Sequence, residues 1–412
     1  MANAEILKKY LTDGEDSYLI SSNNNGKVIM LSGKWGSGKT HFWQKQIQTV
    51  LENKDKKIPN HYVSLYGKTS IQEIKNEIFL KVFESVDSYE VIEKGKALAK
   101  NTVGLATSFF GAISVLGVNL DLSKVTDKPF EKLENVLDDK KLKKTIEYLN
   151  SGAIICFDDF ERKSKDIDLN DLFGFITQLT LNFDCKVVII LNDDVFEGEE
   201  KKIFSNVKEK SVSKFLKYEP SIKELFETIF SDKRYRVLDG HKEIILKTIE
   251  ETEELNARIY IQVLDNLVEW IINQDKSDEV LRCLILVNIN FILYHKVFDM
   301  NIIENSASWK EGKSIDYKIK TQVEIPKELK QYLQENSFNN LKNKIQIREK
   351  EMLKRNVNAI DNTTALIEFI DKNISLVKSY IFLFKYINNK NVDDATFQKI
   401  NNFIETGILI NE

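Results

Sequence analysis

Short strand-like runs alternate with longer segments of mixed character over the first half of the chain. Each run spans four to six residues, which suits a buried strand and is too short for an ordinary helix. The predicted strands cover residues 28–31, 61–66, 153–157 and 186–191. The predicted helices between them cover residues 41–50, 71–83, 139–150 and 168–182. Because strands and helices alternate, the pattern predicts an α/β fold with a parallel sheet covered by helices on both faces.

The second half of the chain changes to amphipathic, helical spacing without an internal repeat of fixed period. A basic stretch at residues 208–220 ends at Pro220, which breaks any helix at that point. Beyond it, the predicted helices cover residues 222–230, 242–252, 256–267, 279–298, 326–338, 341–353, 363–386 and 393–408. We therefore expect a helical region after the sheet and an all-α C-terminal region.

The composition is that of a soluble globular protein with two or three domains. Of the 412 residues, 30% are charged and 42% are apolar, and the net charge of −4 provides no strong field that attracts nucleic acid. The three cysteines and four histidines are scattered, without the spacing of a disulfide framework or a zinc site. Since the N-terminal residues also lack the apolar core of a signal peptide, the sequence predicts a cytoplasmic protein.

Residues 33–40 fit the phosphate-binding pattern G-x-x-x-x-G-K-[ST], and they stand between a predicted strand and a predicted helix. The glycines allow backbone N–H groups to surround phosphate oxygens, and the helix N-terminus adds positive potential. Lys39 is expected to reach the β- and γ-phosphates of ATP, and the Thr40 hydroxyl to hold Mg²⁺. The candidate nucleotide-binding residues of this loop are Gly33, Lys34, Trp35, Gly36, Ser37, Gly38, Lys39 and Thr40.

An acidic pair, Asp158 and Asp159, follows the apolar run at residues 153–157. We expect this run to form a strand beside the strand that precedes the phosphate loop. A carboxylate at the tip of that strand faces the water shell of Mg²⁺, and a second one orients and deprotonates the attacking water. Strands often end in Asp at a turn, so the pair gains its significance from the motif upstream.

Three stretches give the chain a resemblance to the KAP-type ATPases, which belong with the STAND and additional-strand P-loop ATPases. Residues 33–40 resemble the G-x-W-G-[SA]-G-K-[TS] form of the loop in that family. Residues 157–162, Phe-Asp-Asp-Phe-Glu-Arg, are similar to its D-D-L-[DE]-R sequence, and residues 256–258, Asn-Ala-Arg, resemble the N-x-R that starts a lid helix. The resemblance covers residues 20–275 and leaves the C-terminal third without a counterpart.

The resemblance implies a role for each polar residue after the third predicted strand. Asp158 would coordinate Mg²⁺ through water, and Asp159 would polarise the attacking water. Glu161 is the second candidate for this catalytic role. Arg162 would extend toward the γ-phosphate of a neighbouring subunit, or else form a structural pair with a nearby carboxylate.

Two further residues would sense the γ-phosphate by the same resemblance. Asn192 follows the predicted strand at 186–191, where additional-strand ATPases carry a sensor; the alternative is an Asn that only starts a loop. Arg258 would draw a helical lid toward the phosphates, or else is a solvated helix residue. Trp35 is expected either to close over the nucleotide or to pack on the sheet.

Together these features divide the chain into four regions. They are an N-terminal helix and loop at residues 1–26, a P-loop ATPase core at 27–220, a helical lid at 221–275 and an α-helical C-terminal domain at 276–412. Within the core, the mostly apolar residues 103–118 are too few for a membrane-spanning helix, which needs about 20. We expect them to be buried or to face a partner; the alternative is membrane contact, because KAP-type ATPases often carry a membrane segment in this interval.

The leading functional prediction is an ATPase that acts as a switch or assembly engine, forms a homo-oligomer and engages a protein effector through its C-terminal helices. The resemblance implies a role in bacterial antiphage defence. One alternative is a nucleic-acid-binding ATPase, similar to an initiator or loader, since residues 342–355 form a basic-leaning helix. A second is a scaffold stabilised by ATP with little turnover, because Asp rather than Glu follows Asp158. A third is a membrane-peripheral ATPase anchored through residues 103–118.

Overall fold

The computed structural model of the chain divides into two compact units, Met1–Ser221 and Ile222–Glu412. The described residues are 3–53, 58–86, 110, 139–295, 298–300, 317–319, 325–326, 329, 333, 338–354, 360–387 and 392–410. The first unit contains a five-stranded sheet between helices, and the second unit is mainly helical. The predicted boundaries after residues 26, 220 and 275 stay predictions.

The sheet of the first unit consists of five parallel strands. They are β1 (Val28–Ser32), β2 (Asn60–Ser64), β3 (Ile154–Asp158), β4 (Lys186–Leu191) and β5 (Lys214–Lys217). Their spatial order is β2-β3-β4-β1-β5. Because the strands are parallel, their carboxyl ends meet at one edge of the sheet, and the loops after β1 and β3 share that edge.

One expectation about this sheet is wrong. The acid-bearing strand β3 does not lie beside β1, because β4 pairs with both of them, Ile189 of β4 facing Met30 on one side and Phe157 on the other. Strand β4 thus separates the strand before the phosphate loop from the strand that ends at Asp158. Asp158 is therefore one strand further from β1 than expected. Side chains at the carboxyl edge of the sheet bridge this distance, since the Thr40 hydroxyl contacts Asp158.

Helices cover both faces of the sheet, as predicted. One face packs against α1 (Asn3–Thr12) and the helical segment formed by α2 (Lys39–His41), the π-helical Phe42–Gln48 and α3 (Thr49–Glu52). The other face packs against α4 (Ile71–Val86), α5 (Asp139–Asn150), α6 (Leu169–Phe183) and α7 (Gly198–Ser211). In β1, Ile29 and Leu31 pack against the helices of the first face, and Val28 and Met30 pack against those of the other face. Because both faces are buried, every position of the strand requires an apolar residue, and the strand is a continuous apolar run in the sequence.

Strand β5 was not predicted. It lies in the basic stretch at residues 208–220, and Leu216 is its one buried residue. The other three residues are exposed, and the ammonium of Lys208 lies 3.6 Å from the ring centre of Phe215. An edge strand with lysines and a single buried side chain carries neither the apolar run nor the alternation that marks a strand in sequence.

The apolar residues 103–118 lie outside the described residues, with the exception of Phe110. That residue is buried, its ring lies edge-on to Phe175 and Phe183, and the side chain of Gln178 donates a hydrogen bond of 2.6 Å to its carbonyl oxygen. Phe110 therefore has the buried environment expected for this segment. In the part of the chain that the structure describes, no helix is both long enough and apolar enough to cross a membrane.

The second unit is organised around a buried central helix, α11, and its fold class is confirmed. Its helices are α8 (Ile222–Phe230), α9 (Lys242–Glu251), α10 (Ala257–Asn273), α11 (Asp278–Tyr294), α12 (Phe338–Lys354), α13 (Ile360–Lys372), α14 (Ile374–Phe382) and α15 (Asp394–Thr406). Helix α11 packs against α9, α10, α14 and α15. A small antiparallel pair, β6 (Phe298–Met300) and β7 (Tyr317–Ile319), adds to the helical fold and was not predicted.

Candidate functional site

The phosphate loop leaves β1 at Ser32 and enters α2 at Lys39. Gly36 and Gly38 have φ angles of 77° and 91°, a left-handed conformation that favours glycine. Gly33 is required for a different reason, because a Cβ atom at this position would lie 2.5 Å from the carbonyl oxygen of Tyr218. The glycines of the motif therefore serve two backbone turns and one close approach to the chain after β5.

Lys39 lies inside this loop with only 8% of its surface exposed. Its ammonium donates hydrogen bonds to the carbonyl oxygens of Gly33, at 2.7 Å, and of Lys34, at 3.0 Å. These two hydrogen bonds hold the ammonium at the centre of the loop. A phosphate bound to the loop would therefore meet this charge directly.

Asp158, at the end of β3, is the buried acid of the site, with 3% of its surface exposed. The Thr40 hydroxyl donates to Oδ2 of Asp158 at 2.6 Å, and the Tyr62 hydroxyl donates to the same oxygen at 2.8 Å. The backbone N–H of Asp159 donates to Oδ1 at 2.7 Å. Burial raises the pKa of the Asp158 carboxyl, and these three hydrogen bonds oppose that effect.

This group of oxygens has the chemistry of a Mg²⁺ site. Magnesium prefers hard oxygen ligands and is usually held by one or two carboxylate or hydroxyl groups together with phosphate oxygens. The Thr40 hydroxyl and the Asp158 carboxylate lie in direct contact although 118 residues separate them in the chain. The two residues that the sequence predicted as metal ligands are thus brought together, and Mg²⁺ itself stays a prediction.

The side chain of Asp159 has partners other than Thr40 and Tyr62. Its backbone is left-handed, with a φ of 54°, and its side chain accepts a hydrogen bond of 2.8 Å from the Ser64 hydroxyl at the end of β2. Arg162 pairs with the other carboxylate oxygen at 3.3 Å. The Arg162 guanidinium also stacks on Tyr66, 3.8 Å from the centre of its ring. The structural pair that was one of the two expectations for Arg162 is therefore present, and its action on a neighbouring subunit stays a prediction.

Glu161 turns back toward the phosphate loop. The indole N–H of Trp35 donates a hydrogen bond of 2.6 Å to Oε1 of Glu161. Burial raises the pKa of this carboxyl, and the N–H of Trp35, the backbone N–H groups of Glu161 and Asn192 and the charge of Lys39 oppose that effect. Of the two acids proposed to act on water, Glu161 is thus the one that lies against the phosphate loop.

A model of the KAP family P-loop domain matches residues 16–265 of the chain. The chain belongs to the KAP family. The matched region contains the phosphate loop, the three acidic residues of the site and the start of the helical unit, so the protein is a nucleotide-binding P-loop NTPase. No curated protein matches the chain.

In this KAP domain, Asn192 lies at the end of β4, between the strands that carry the phosphate loop and Asp158. Its side chain is buried and accepts a hydrogen bond of 3.3 Å from the backbone N–H of Asp194. The next residue, Asp193, accepts a hydrogen bond from the Ser32 hydroxyl just before the loop. Asn192 starts a loop, as one expectation had it, because its side chain caps the turn after β4. It also lies at the carboxyl edge of the sheet, where a sensor of the γ-phosphate would lie, and its role as a sensor stays a prediction.

Arg258 belongs to the second unit of the KAP protein, in the first turn of α10. The side chain of Asn256 caps this helix by accepting a hydrogen bond of 3.0 Å from the backbone N–H of Arg258. The capping Asn explains why the helix begins here. A contact between Arg258 and phosphate stays a prediction.

Three residues that contact the predicted site were missed by sequence analysis: Tyr62, Ser64 and Tyr66. The first two alternate along β2, and the register sets Ser64 opposite Asp158. Side chains two residues apart in a strand lie on the same face, so the spacing of Tyr62 and Ser64 indicated that both would face the same side of the sheet. Sequence alone gave no means of choosing β2 as the neighbour of β3.

Proposed function

We propose that this KAP domain is a Mg²⁺-dependent ATPase that acts as a nucleotide-controlled switch. The observation that supports the proposal best is the contact between Thr40 and Asp158, because it joins the phosphate loop to the acid of another strand. Thr40 and Asp158 would hold Mg²⁺, which when bound neutralises charge on the phosphate oxygens. Lys39 would exchange its bonds with the loop carbonyl groups for bonds with phosphate oxygens.

Glu161 is the better supported general base. Both oxygens of the Asp159 carboxylate have partners, Ser64 on one side and Arg162 on the other. Glu161 instead lies against the loop that would hold the phosphates, and the charge of Lys39 acts on it. We therefore assign proton abstraction from the attacking water to Glu161, and to Asp159 the task of holding the turn after β3.

A switch also requires that the nucleotide state reach another part of the chain. The family match runs from residue 16 to residue 265 and so continues across the division between the two units at residue 221. This continuity supports the proposal that ATP alters what the helical region presents to a second copy of the chain or to an effector protein. The predicted role in antiphage defence stays a prediction at this level.

The test compares ATP binding, ATP hydrolysis and mass by light scattering for the wild type and four variants. Lys39→Ala is expected to lose ATP binding, whereas Lys45→Ala removes an exposed lysine from the same helical segment and is the matched control. Glu161→Gln is expected to bind ATP and to lower kcat by at least about 100-fold. Asp159→Asn is expected to keep more activity than Glu161→Gln, since an amide can still accept from Ser64.

The outcomes separate the alternatives. ATP binding without turnover or change of mass in the wild type would support the scaffold, and the absence of ATP binding would overturn the proposal. A larger loss of kcat in Asp159→Asn than in Glu161→Gln would return the role of general base to Asp159. Stimulation of hydrolysis by DNA, with strongly salt-dependent affinity, would support the nucleic-acid-binding alternative.

A further inference from the structure

Trp35 is an exposed residue of the phosphate loop whose side chain contacts an acid. Its exposed fraction is 54%, so burial of its ring contributes little to its position. Its indole N–H nevertheless reaches Glu161, 126 residues further along the chain, at a distance of 2.6 Å. This distance lies just below the usual range of N–H···O hydrogen bonds, about 2.7–3.2 Å. The loop that would surround the phosphates thus also holds the side chain of an acid.

The two oxygens of this acid have different surroundings. Oε1 accepts the hydrogen bond from Trp35, whereas Oε2 is buried and, although the backbone N–H groups of Glu161 and Asn192 lie near this carboxyl, accepts no hydrogen bond of ordinary geometry from the described residues. A buried carboxylate oxygen ordinarily has a partner, because an unpaired one is unfavourable. An attacking water beside the γ-phosphate is a suitable donor for this oxygen.

We propose that Trp35 is a positioning residue: its indole N–H fixes Oε1 of Glu161 so that Oε2 receives the proton of the attacking water. The inference rests on the proposed function, in which Glu161 is the general base. The hydrogen bond between Trp35 and Glu161 would couple phosphate binding to proton abstraction, because it joins the loop that binds phosphate to the acid that acts on water. A shift of the loop on nucleotide binding therefore moves the acid with it.

The kinetic test is Trp35→Phe, which keeps an aromatic ring and removes the N–H. The N–H stabilises the charged form of Glu161, so its loss raises the pKa of the acid and moves the acidic limb of the kcat profile to higher pH. We expect a shift of about one pH unit, which corresponds to a tenfold change in that stabilisation. At neutral pH, kcat is expected to fall about tenfold while KM for ATP changes less than about twofold.

Trp43→Phe is the matched control, because Trp43 lies in the helical segment after the loop and its buried indole N–H has no hydrogen-bond partner within the described residues. The same substitution there removes ring volume but no hydrogen bond. Its acidic limb is expected to coincide with that of the wild type. An equal shift in Trp43→Phe and Trp35→Phe would overturn the proposal, as would a change in KM alone for Trp35→Phe.

A second measurement does not depend on hydrolysis. The indole ¹H–¹⁵N signal of Trp35, assigned by its absence in Trp35→Phe, is expected to follow the titration of Glu161 and to lose that dependence in Glu161→Gln. If the wild type hydrolyses ATP but the signal is the same in Glu161→Gln, the positioning role is wrong. If the signal depends on Glu161 but the wild type does not hydrolyse ATP, the contact is supported and the proposed ATPase is the part that fails.

Discussion

His61 gives the first unit a built-in sensitivity to acid. It is the second residue of β2, only 6% of its surface is exposed, and its Nε2 has no hydrogen-bond partner in the described part of the chain. Burial and, to a smaller extent, the charge of Lys81 together lower the pKa of His61 from 6.5 to about 4. The ring lies 5.6 Å from that of Tyr148, so a proton on His61 would place a charge inside an apolar contact.

The sign and size of the effect follow from the two pKa values. The folded protein keeps His61 neutral, whereas the unfolded chain takes up a proton below pH 6.5. The contribution of His61 to stability is therefore fully present above pH 6.5 and is lost as the pH falls toward 4. Each pH unit in this window costs about 1.4 kcal/mol, so the loss is about 2 kcal/mol at pH 5 and about 3 kcal/mol at pH 4.

The assay uses the buried cysteines as reporters of each unit. Cys156 and Cys185 lie in or beside the sheet, and Cys283 lies in α11, so thiol labelling during a urea titration reports the two units separately. A disulfide reagent that reacts at pH 5 makes the comparison with pH 7.5 practicable. Between pH 7.5 and pH 5, we expect the loss in free energy of unfolding of the first unit to be about 2 kcal/mol smaller in His61→Gln than in the wild type. The free energy of unfolding of the second unit, which Cys283 reports, is expected to be unaffected by the substitution.

The control is His41→Gln, since His41 is exposed and burial acts on it less strongly. Its pH dependence is expected to stay close to that of the wild type. The reasoning is refuted if His61→Gln and the wild type lose the same free energy of unfolding between pH 7.5 and pH 5. Such a result would mean that the proton on His61 finds a partner or water that the folded structure does not indicate.

Two further changes test the site itself. Gly33→Ala is expected to destabilise the first unit by about 1–3 kcal/mol and to weaken ATP binding, because its Cβ would lie 2.5 Å from the carbonyl oxygen of Tyr218. The control for urea unfolding is Gly174→Ala, whose Cβ would meet nothing within 4 Å. This variant should be as stable as the wild type or more stable. Tyr62→Phe removes one of the two hydroxyl donors to Oδ2 of Asp158, so the Mg²⁺ concentration for half-maximal hydrolysis should rise about tenfold, and an unchanged value would show that Thr40 and the backbone N–H of Asp159 suffice to orient the acid.

The sequence predicted the four strands with continuous or alternating burial, β1 to β4, and missed β5, which has a single buried residue. In β1 and β4 every residue is buried, so the requirement for apolar side chains is continuous and visible in the sequence. In β5 only Leu216 is buried, and the neighbouring lysines hide the strand. The order of the strands was not predictable either, because apolar strands carry no label for their neighbours.

The place of the phosphate loop between a strand and a helix was predictable, since the motif depends on the local backbone and a fixed spacing of residues. The different contacts of the three acidic residues could not be predicted from the sequence. They include those of Trp35 with Glu161 and of Ser64 with Asp159, which join residues 126 and 95 positions apart. Contacts of this kind exist only after the strand order is fixed.

The left-handed backbone of Asp159 explains how three acidic residues so close in sequence reach three different surroundings. A φ of 54° turns the chain sharply after β3, so Asp158 remains at the strand end while the short 3-10 helix Phe160–Arg162 returns Glu161 toward the phosphate loop. Asn and Asp tolerate this conformation better than most residues other than glycine. Backbone geometry and the anchors at Ser64 and Arg162 therefore suffice to explain an Asp at this position, without any action on water, and this is why the residue type at 159 is weaker evidence for a general base than the position of Glu161.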